Sequence, residues 1–135
     1  MFRETQSFYN HFRKFEIEEN LMLPKTRIMW IEYKGADEIV GSARIGRVTI
    51  KNRGKSLEYK DQKFSSLNGQ GFKSNYFDLE THENYWISGC HKDGRDALYS
   101  TTVEIDEDIR EEYWTETRNK PELKHISSFR CQSKY

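Results

Sequence analysis

Short runs of alternating apolar and polar side chains cover most of this chain, and turn-forming residues separate them. From Arg27 to Tyr33, Ile28 and Trp30 fall on one face and Met29, Ile31 and Tyr33 on the other, which predicts a first strand. Ala43–Lys51 predicts a second. Its apolar positions change phase: Ala43 and Ile45 are odd-numbered, Val48 and Ile50 even, and Gly46 lies between them. A bulge at Gly46 would return all four to one buried face. Asn52-Arg53-Gly54-Lys55 reads as a hairpin turn, followed by a strand with Leu57 and Tyr59 inward, a turn at Asp61-Gln62 and a short strand around Phe64. Asn68-Gly69-Gln70-Gly71 is another turn.

The next hairpin is the richest in aromatics. Phe72–Leu79 is expected to pair with Asn84–Gly89 across Glu80-Thr81-His82-Glu83. Tyr76 and Phe77 are neighbours, as are Tyr85 and Trp86, so rings must fall on both faces. Asp93-Gly94 marks a turn, and Thr101–Ile105 a closing strand. Asp106-Glu107-Asp108 then reads as a helix start, with Asp106 or Asp108 as cap and three acids at the positive end of the dipole. Asp108 and Glu111 have capping-box spacing. Ile109, Tyr113 and Trp114 give this helix an apolar face, and Pro121 ends it. Short strands, frequent turns and one terminal helix predict a mainly β fold: a small antiparallel β-barrel of Src-homology-3-like or oligonucleotide-binding-like type.

The two ends differ from this centre. Residues 1–27 form an N-terminal extension in which Phe8, Phe12 and Phe15 have helical spacing up to Pro24. It is either a helix packed on the domain or on a second copy, giving a homo-oligomer, or a leader whose true start is Met22 or Met29. The barrel domain spans 28–121. Residues 122–135 hold few apolar side chains and are expected to be a partly mobile tail.

Composition adds two constraints. Apolar residues make up 35% and charged residues 33%, while aromatics reach 14%, so rings must fill much of the core. The formal charge is zero, but it is unevenly spread. Residues 41–75 carry eight basic side chains against two acids, and residues 76–116 carry twelve acids against three bases. Such a layout either neutralises neighbouring strands or steers a charged partner. Two cysteines are too few for a disulfide framework, and no apolar run is long enough to span a bilayer. A cytoplasmic protein with reduced thiols and no membrane association is the expectation.

From Trp30 to Pro121 the chain resembles a set of short bacterial proteins to which no activity is attached. The resemblance rests on Trp30–Gly35, Ala43–Val48, Gly69–Tyr76, Glu83–Gly89 and Val103–Trp114. Some members carry the label of 1-deoxy-D-xylulose-5-phosphate synthase. That enzyme is several times longer, and its diphosphate and magnesium motif has no counterpart here, so the activity does not transfer. The similar proteins have Gly where this chain has His82, which implies a turn with different backbone demands.

Few residues point to chemistry. Cys90-His91 with His82 has the makings of a metal or thiol site, but adjacent strand residues point apart and no zinc-ligand spacing is present. The acids from Glu104 to Glu112 are explained by a helix start. Gly69-Gln70-Gly71 is followed by no helix and is not a phosphate loop. No catalytic or metal-binding residue is assigned, and no cofactor is implied. The preferred reading is a non-enzymatic module that binds a protein partner through Tyr76, Tyr85 and Trp86, in an adaptor, immunity-type or phage-conflict role by analogy. The alternative is nucleic-acid binding by the basic hairpin, with Arg44, Arg47, Lys51, Arg53, Lys55 and Lys73 following phosphates and Tyr59 stacking on bases. An enzyme of unidentified type is a third possibility.

Overall fold

The computed structural model of the protein describes residues 25–35 and 41–133. The expected N-terminal helix, the choice of start codon and most of the turn after Gly35 lie outside the described residues.

Six antiparallel strands close into a barrel in sequence order: β1 (Lys25–Gly35), β2 (Ala43–Lys51), β3 (Ser56–Tyr59), β4 (Gln62–Ser66), β5 (Tyr76–Asp78) and β6 (Asn84–Gly89). β1 is the closing strand, pairing with β2 along one edge and with β6 along the other. A further strand, β7 (Thr101–Ile105), adds to β2 in parallel, and β8 (Ser128–Cys131) pairs antiparallel with β7. The C-terminal residues expected to be a mobile tail therefore return to the sheet, with Cys131 fully buried. Between β7 and β8 runs a short helical segment: a 3-10 turn (Glu107–Ile109), one α turn (Arg110–Glu112) and a π turn (Tyr113–Thr117).

The phase change in β2 has a different cause from the expected bulge. The β1–β2 register is continuous through Met29↔Gly46. No residue is inserted, and the strand instead serves two cores. Ala43 and Ile45 face outward with Trp30, Val103, Ile105, Ile109, Tyr113 and Trp114, forming a cluster between the barrel wall and the helical segment. Val48 faces the barrel interior with Met29, Ile31, Leu57, Tyr59, Phe64 and Ile87. β1 divides in the same way, because it too has a core on each side.

β2 is also forked. Thr49–Lys51 pair with β3, whereas Ala43–Ile45 pair with β7 on the same edge. Asp106, the residue after β7, bridges the fork. Its amide donates to Ile45 O at 2.9 Å, and its carboxylate accepts from Tyr59 Oη at 2.6 Å and from Arg44 Nη2 and Nε at 2.7 and 3.0 Å. This corrects the expectation of a helix cap. Asp106 does occupy the N-cap position, but its side chain makes no cap bond because it is committed across the fork. Gly46 lies beneath. A Cβ there would stand 2.4 Å from Asp106 Oδ2 and 2.6 Å from a Tyr59 ring carbon.

The β5–β6 turn is built on Asp78. Its Oδ1 accepts from the amides of Glu80 and Thr81 at 2.8 and 3.1 Å, and its Oδ2 from Gln62 Nε2 at 3.0 Å. His82 sits at φ +65°, the left-handed region that glycine occupies most readily. The turn thus places histidine in a left-handed conformation that glycine favours.

Two outcomes follow. Gly46→Ala should destabilise the protein by about 1–3 kcal/mol in urea unfolding, since both neighbours are held by the same buried hydrogen bond. His82→Gly should stabilise it by roughly 0.5–1 kcal/mol, by relieving the left-handed strain, in the same assay.

Candidate binding surface

The outer face of β1 and β6 carries Glu32, Lys34 and Trp86, with Glu32 directly opposite Trp86. Two loops overhang it. Together they leave a recess of about 210 Å³ lined by Glu32, Lys34, Phe72, Lys73, Trp86, Asp96 and Leu98. The floor is polar and ordered. Lys34 Nζ donates to Glu32 Oε2 at 2.6 Å, and Trp30 Nε1 donates to Glu32 Oε1 at 3.0 Å. Both side chains are about nineteen-twentieths buried (5% exposed each), so the pair is shielded from solvent and holds its geometry.

The first loop fixes Phe72. Leu67 N donates to Asn75 O at 3.0 Å, closing the loop at its base. The Asn75 side chain then acts as an extra strand residue: its Nδ2 donates to Ile87 O and its Oδ1 accepts from Ile87 N, both at 2.8 Å. Gly71 packs so tightly that a Cβ would lie 2.3 Å from Ser74 O. Phe72 is therefore not the strand residue the alternation implied. It stands on a braced loop with 82% of its surface exposed, the most exposed large apolar side chain among the described residues.

The second loop is folded around Asp96, whose Oδ1 accepts from His91 N at 2.8 Å. Asp93 Oδ1 accepts from Arg95 N at 2.9 Å. Ser133 Oγ donates to Leu98 O at 2.9 Å, tying this loop to the residues after β8. Beneath the loop the Arg118 guanidinium lies 5.1 Å from the ring centres of Trp114 and Phe129 and 6.0 Å from that of Tyr113. That cationic plate supports the loop from below.

The three aromatics expected to bind a partner do not share a surface. Tyr85 turns into the barrel, stacked on Tyr33 and in edge contact with Phe64. Tyr76 packs against the same interior cluster and donates its hydroxyl proton to Gly54 O. Only Trp86 faces outward. It is half-buried against the outer cluster, and its Nε1 donates to Ser88 Oγ at 3.2 Å. Strand alternation separates Tyr85 from Trp86, and pairing of Tyr76 with Tyr85 sends both inward.

The basic hairpin is similarly divided. Arg44 is held by Asp106 and Glu104, Arg47 by Glu112, and Lys51 by Glu58. Tyr59 is 5% exposed, so its ring is a core element and presents no face for a base. Burial, reinforced by the Asp106 carboxylate, pushes its hydroxyl pKa up, and the hydrogen bond to Asp106 raises that of Arg44. Arg53 and Lys55 are exposed at the β2–β3 turn. Lys73 lies on the other loop, over the Phe72 ring at 5.2 Å.

Cys90 is half-buried, and burial pushes its thiol pKa up, away from a reactive thiolate. His91 Nδ1 is 2.9 Å from Arg95 O, and His82 belongs to the distant β5–β6 turn. Among the described residues no group of three His, Cys, Asp or Glu side chains is placed to hold a metal ion, and no helix is long and apolar enough to cross a membrane.

No family model matches the chain, and no curated protein or solved structure is significantly similar to it.

Proposed function

We propose that this protein is a non-enzymatic interaction module that captures an apolar side chain of a protein partner in the recess between Phe72 and Trp86. The observation that carries this reading is the exposed Phe72 ring, held out by a braced loop beside the half-buried Trp86 indole. A ring on a mobile loop would lose backbone entropy on binding. One whose backbone is already fixed loses less, so more of its burial appears as affinity. Covering a phenylalanine stabilises a complex by roughly 1.5–3 kcal/mol, the scale of an interface anchor. Leu98 extends the apolar wall, and Tyr99, the next residue, is itself 51% exposed. The Glu32–Lys34 pair gives the floor a fixed polarity that favours one orientation of the incoming group. An adaptor or immunity-type role needs a surface of this kind.

A specific reason places this reading ahead of nucleic-acid binding. The cations of β2 are paired with carboxylates, so fewer of them are free to displace counterions from a polyanion.

Affinity capture from lysate, with and without nuclease treatment, tests it. The wild-type chain should retain a protein partner in both samples. Phe72→Ala should lose that partner while its unfolding free energy stays within about 0.5 kcal/mol of wild type, because the site is exposed. Equal capture by Phe72→Ala, or a partner that disappears with nuclease, would overturn it. Phe72 is a cleaner probe than Trp86, whose removal also strips the outer cluster.

A further inference from the structure

We propose that the free edge of β8 pairs, antiparallel and about a two-fold axis, with β8 of a second copy of this chain, through a surface distinct from the Phe72 recess.

β8 ends the sheet. It pairs with β7, and among the described residues no strand lies on its other side. The register shows which main-chain groups face that side. Thr101 lies opposite Cys131 and Val103 opposite Phe129, and Ile105 N donates to Ser127 O at 2.8 Å. Hydrogen-bonded and non-hydrogen-bonded pairs alternate along an antiparallel ladder. Ser127, Phe129 and Cys131 therefore turn their main-chain groups to β7, while Ser128 and Arg130 turn theirs away. Both of the latter residues are exposed. An edge of this kind is a template for a further strand.

The main chain and the charges select one register for a second copy. Ile126 cannot take part, because its amide donates to Leu123 O at 2.8 Å and its carbonyl accepts from Trp114 Nε1 at 2.9 Å. That disfavours setting Ser128 against Ser128, which would bring Ile126 opposite Arg130. Setting Arg130 against Arg130 puts like charges face to face. Setting Ser128 against Arg130 of the second copy, and the reverse, pairs every outward N–H of these residues with an outward C=O.

The side chains suit the same register. Thr102, Glu104, Ser128 and Arg130 share the exposed face of β7 and β8, with Glu104 opposite Ser128. Arg130 has no ion-pair partner among the described residues. Glu104 is 65% exposed; Arg44 Nη1 donates to its Oε2 at 2.9 Å, and its Oε1 is open. In the dimer, Arg130 of one copy lies beside Ser128 of the other and two strand spacings, about 10 Å, from Glu104. The short serine leaves room for the arginine and glutamate side chains to meet above it. The two-fold axis makes this contact twice. On the opposite face Phe129, packed on Tyr113 and Trp114, falls opposite its own counterpart. The edge is short, so the dimer is weak and depends on concentration.

Sedimentation equilibrium of the full chain, from about 10 μM to about 1 mM, reads this directly. The average mass should climb from one copy toward two. Arg130→Glu sets a carboxylate against Glu104 and should weaken association at least about tenfold. Adding Glu104→Lys to that variant reverses both charges and should recover it. Ser128→Pro removes an N–H that β7 does not use, so it should abolish association while urea unfolding of the dilute protein stays near wild type. Phe72→Ala should associate as wild type does, which separates this edge from the partner surface. A single copy at every concentration, a charge swap that fails to rescue, or association indifferent to both Arg130→Glu and Ser128→Pro would overturn the assignment.

Discussion

One buried carboxylate determines how the two halves of this molecule meet. β2 is asked to do two things at once: to close a barrel with β1 and β3, and to carry β7 and the helical segment on its other half. Where its partners part, the backbone edge would be left open. Asp106 fills the gap by accepting from Tyr59 of the barrel and Arg44 of the fork itself, while its own amide donates to Ile45 O. Lys60 adds a longer contact at 3.6 Å. A carboxylate with several charge-assisted and buried donors is compensated for leaving water, whereas the same group with one donor would not be. Gly46 is the steric condition for the arrangement, because any side chain there would occupy the place where Tyr59 and Asp106 meet.

The fork also explains how a chain with few aliphatic residues sustains two cores. The barrel interior and the outer cluster share β1 and β2 as a common wall, so alternate residues of the same strands serve both. Each strand buries both faces instead of one. Aromatic side chains supply much of the volume: Phe64 and Tyr59 inside, Trp30, Tyr113 and Trp114 outside. The outward displacement of Phe72 is conspicuous against this economy, since among the described residues every other large ring except Tyr99 is at least half covered.

Much of the fold could be read from alternation alone. The first seven strands and the barrel class follow from period-two runs and turn residues, but β8 does not, and Thr101–Ile105, expected to close the barrel, instead adds in parallel outside it while β1 makes the closure. The phase change at Gly46 was visible too, but parity cannot distinguish an inserted residue from a strand between two cores. Asp106 was hidden for another reason. It precedes two more acids at a helix start, and its real partners, Tyr59 and Arg44, lie 47 and 62 residues away. The surface was legible only in part. Trp86 is correctly outward, but Tyr76 and Tyr85 turn inward because their pairing puts them on the barrel side. Phe72 reads as a strand residue in the sequence because its loop is held by the Asn75 side chain standing in for a strand residue, and no local pattern encodes that role.

The fork is tested most directly by a double-mutant cycle between Tyr59→Phe and Asp106→Ala, measured by urea unfolding. If the two side chains hold the halves together, their coupling should be about 1.5–3 kcal/mol, as for a buried hydrogen bond to a charged acceptor. A coupling within about 0.3 kcal/mol of zero would mean that the two act independently, and would contradict the view that this contact joins the barrel to its C-terminal half.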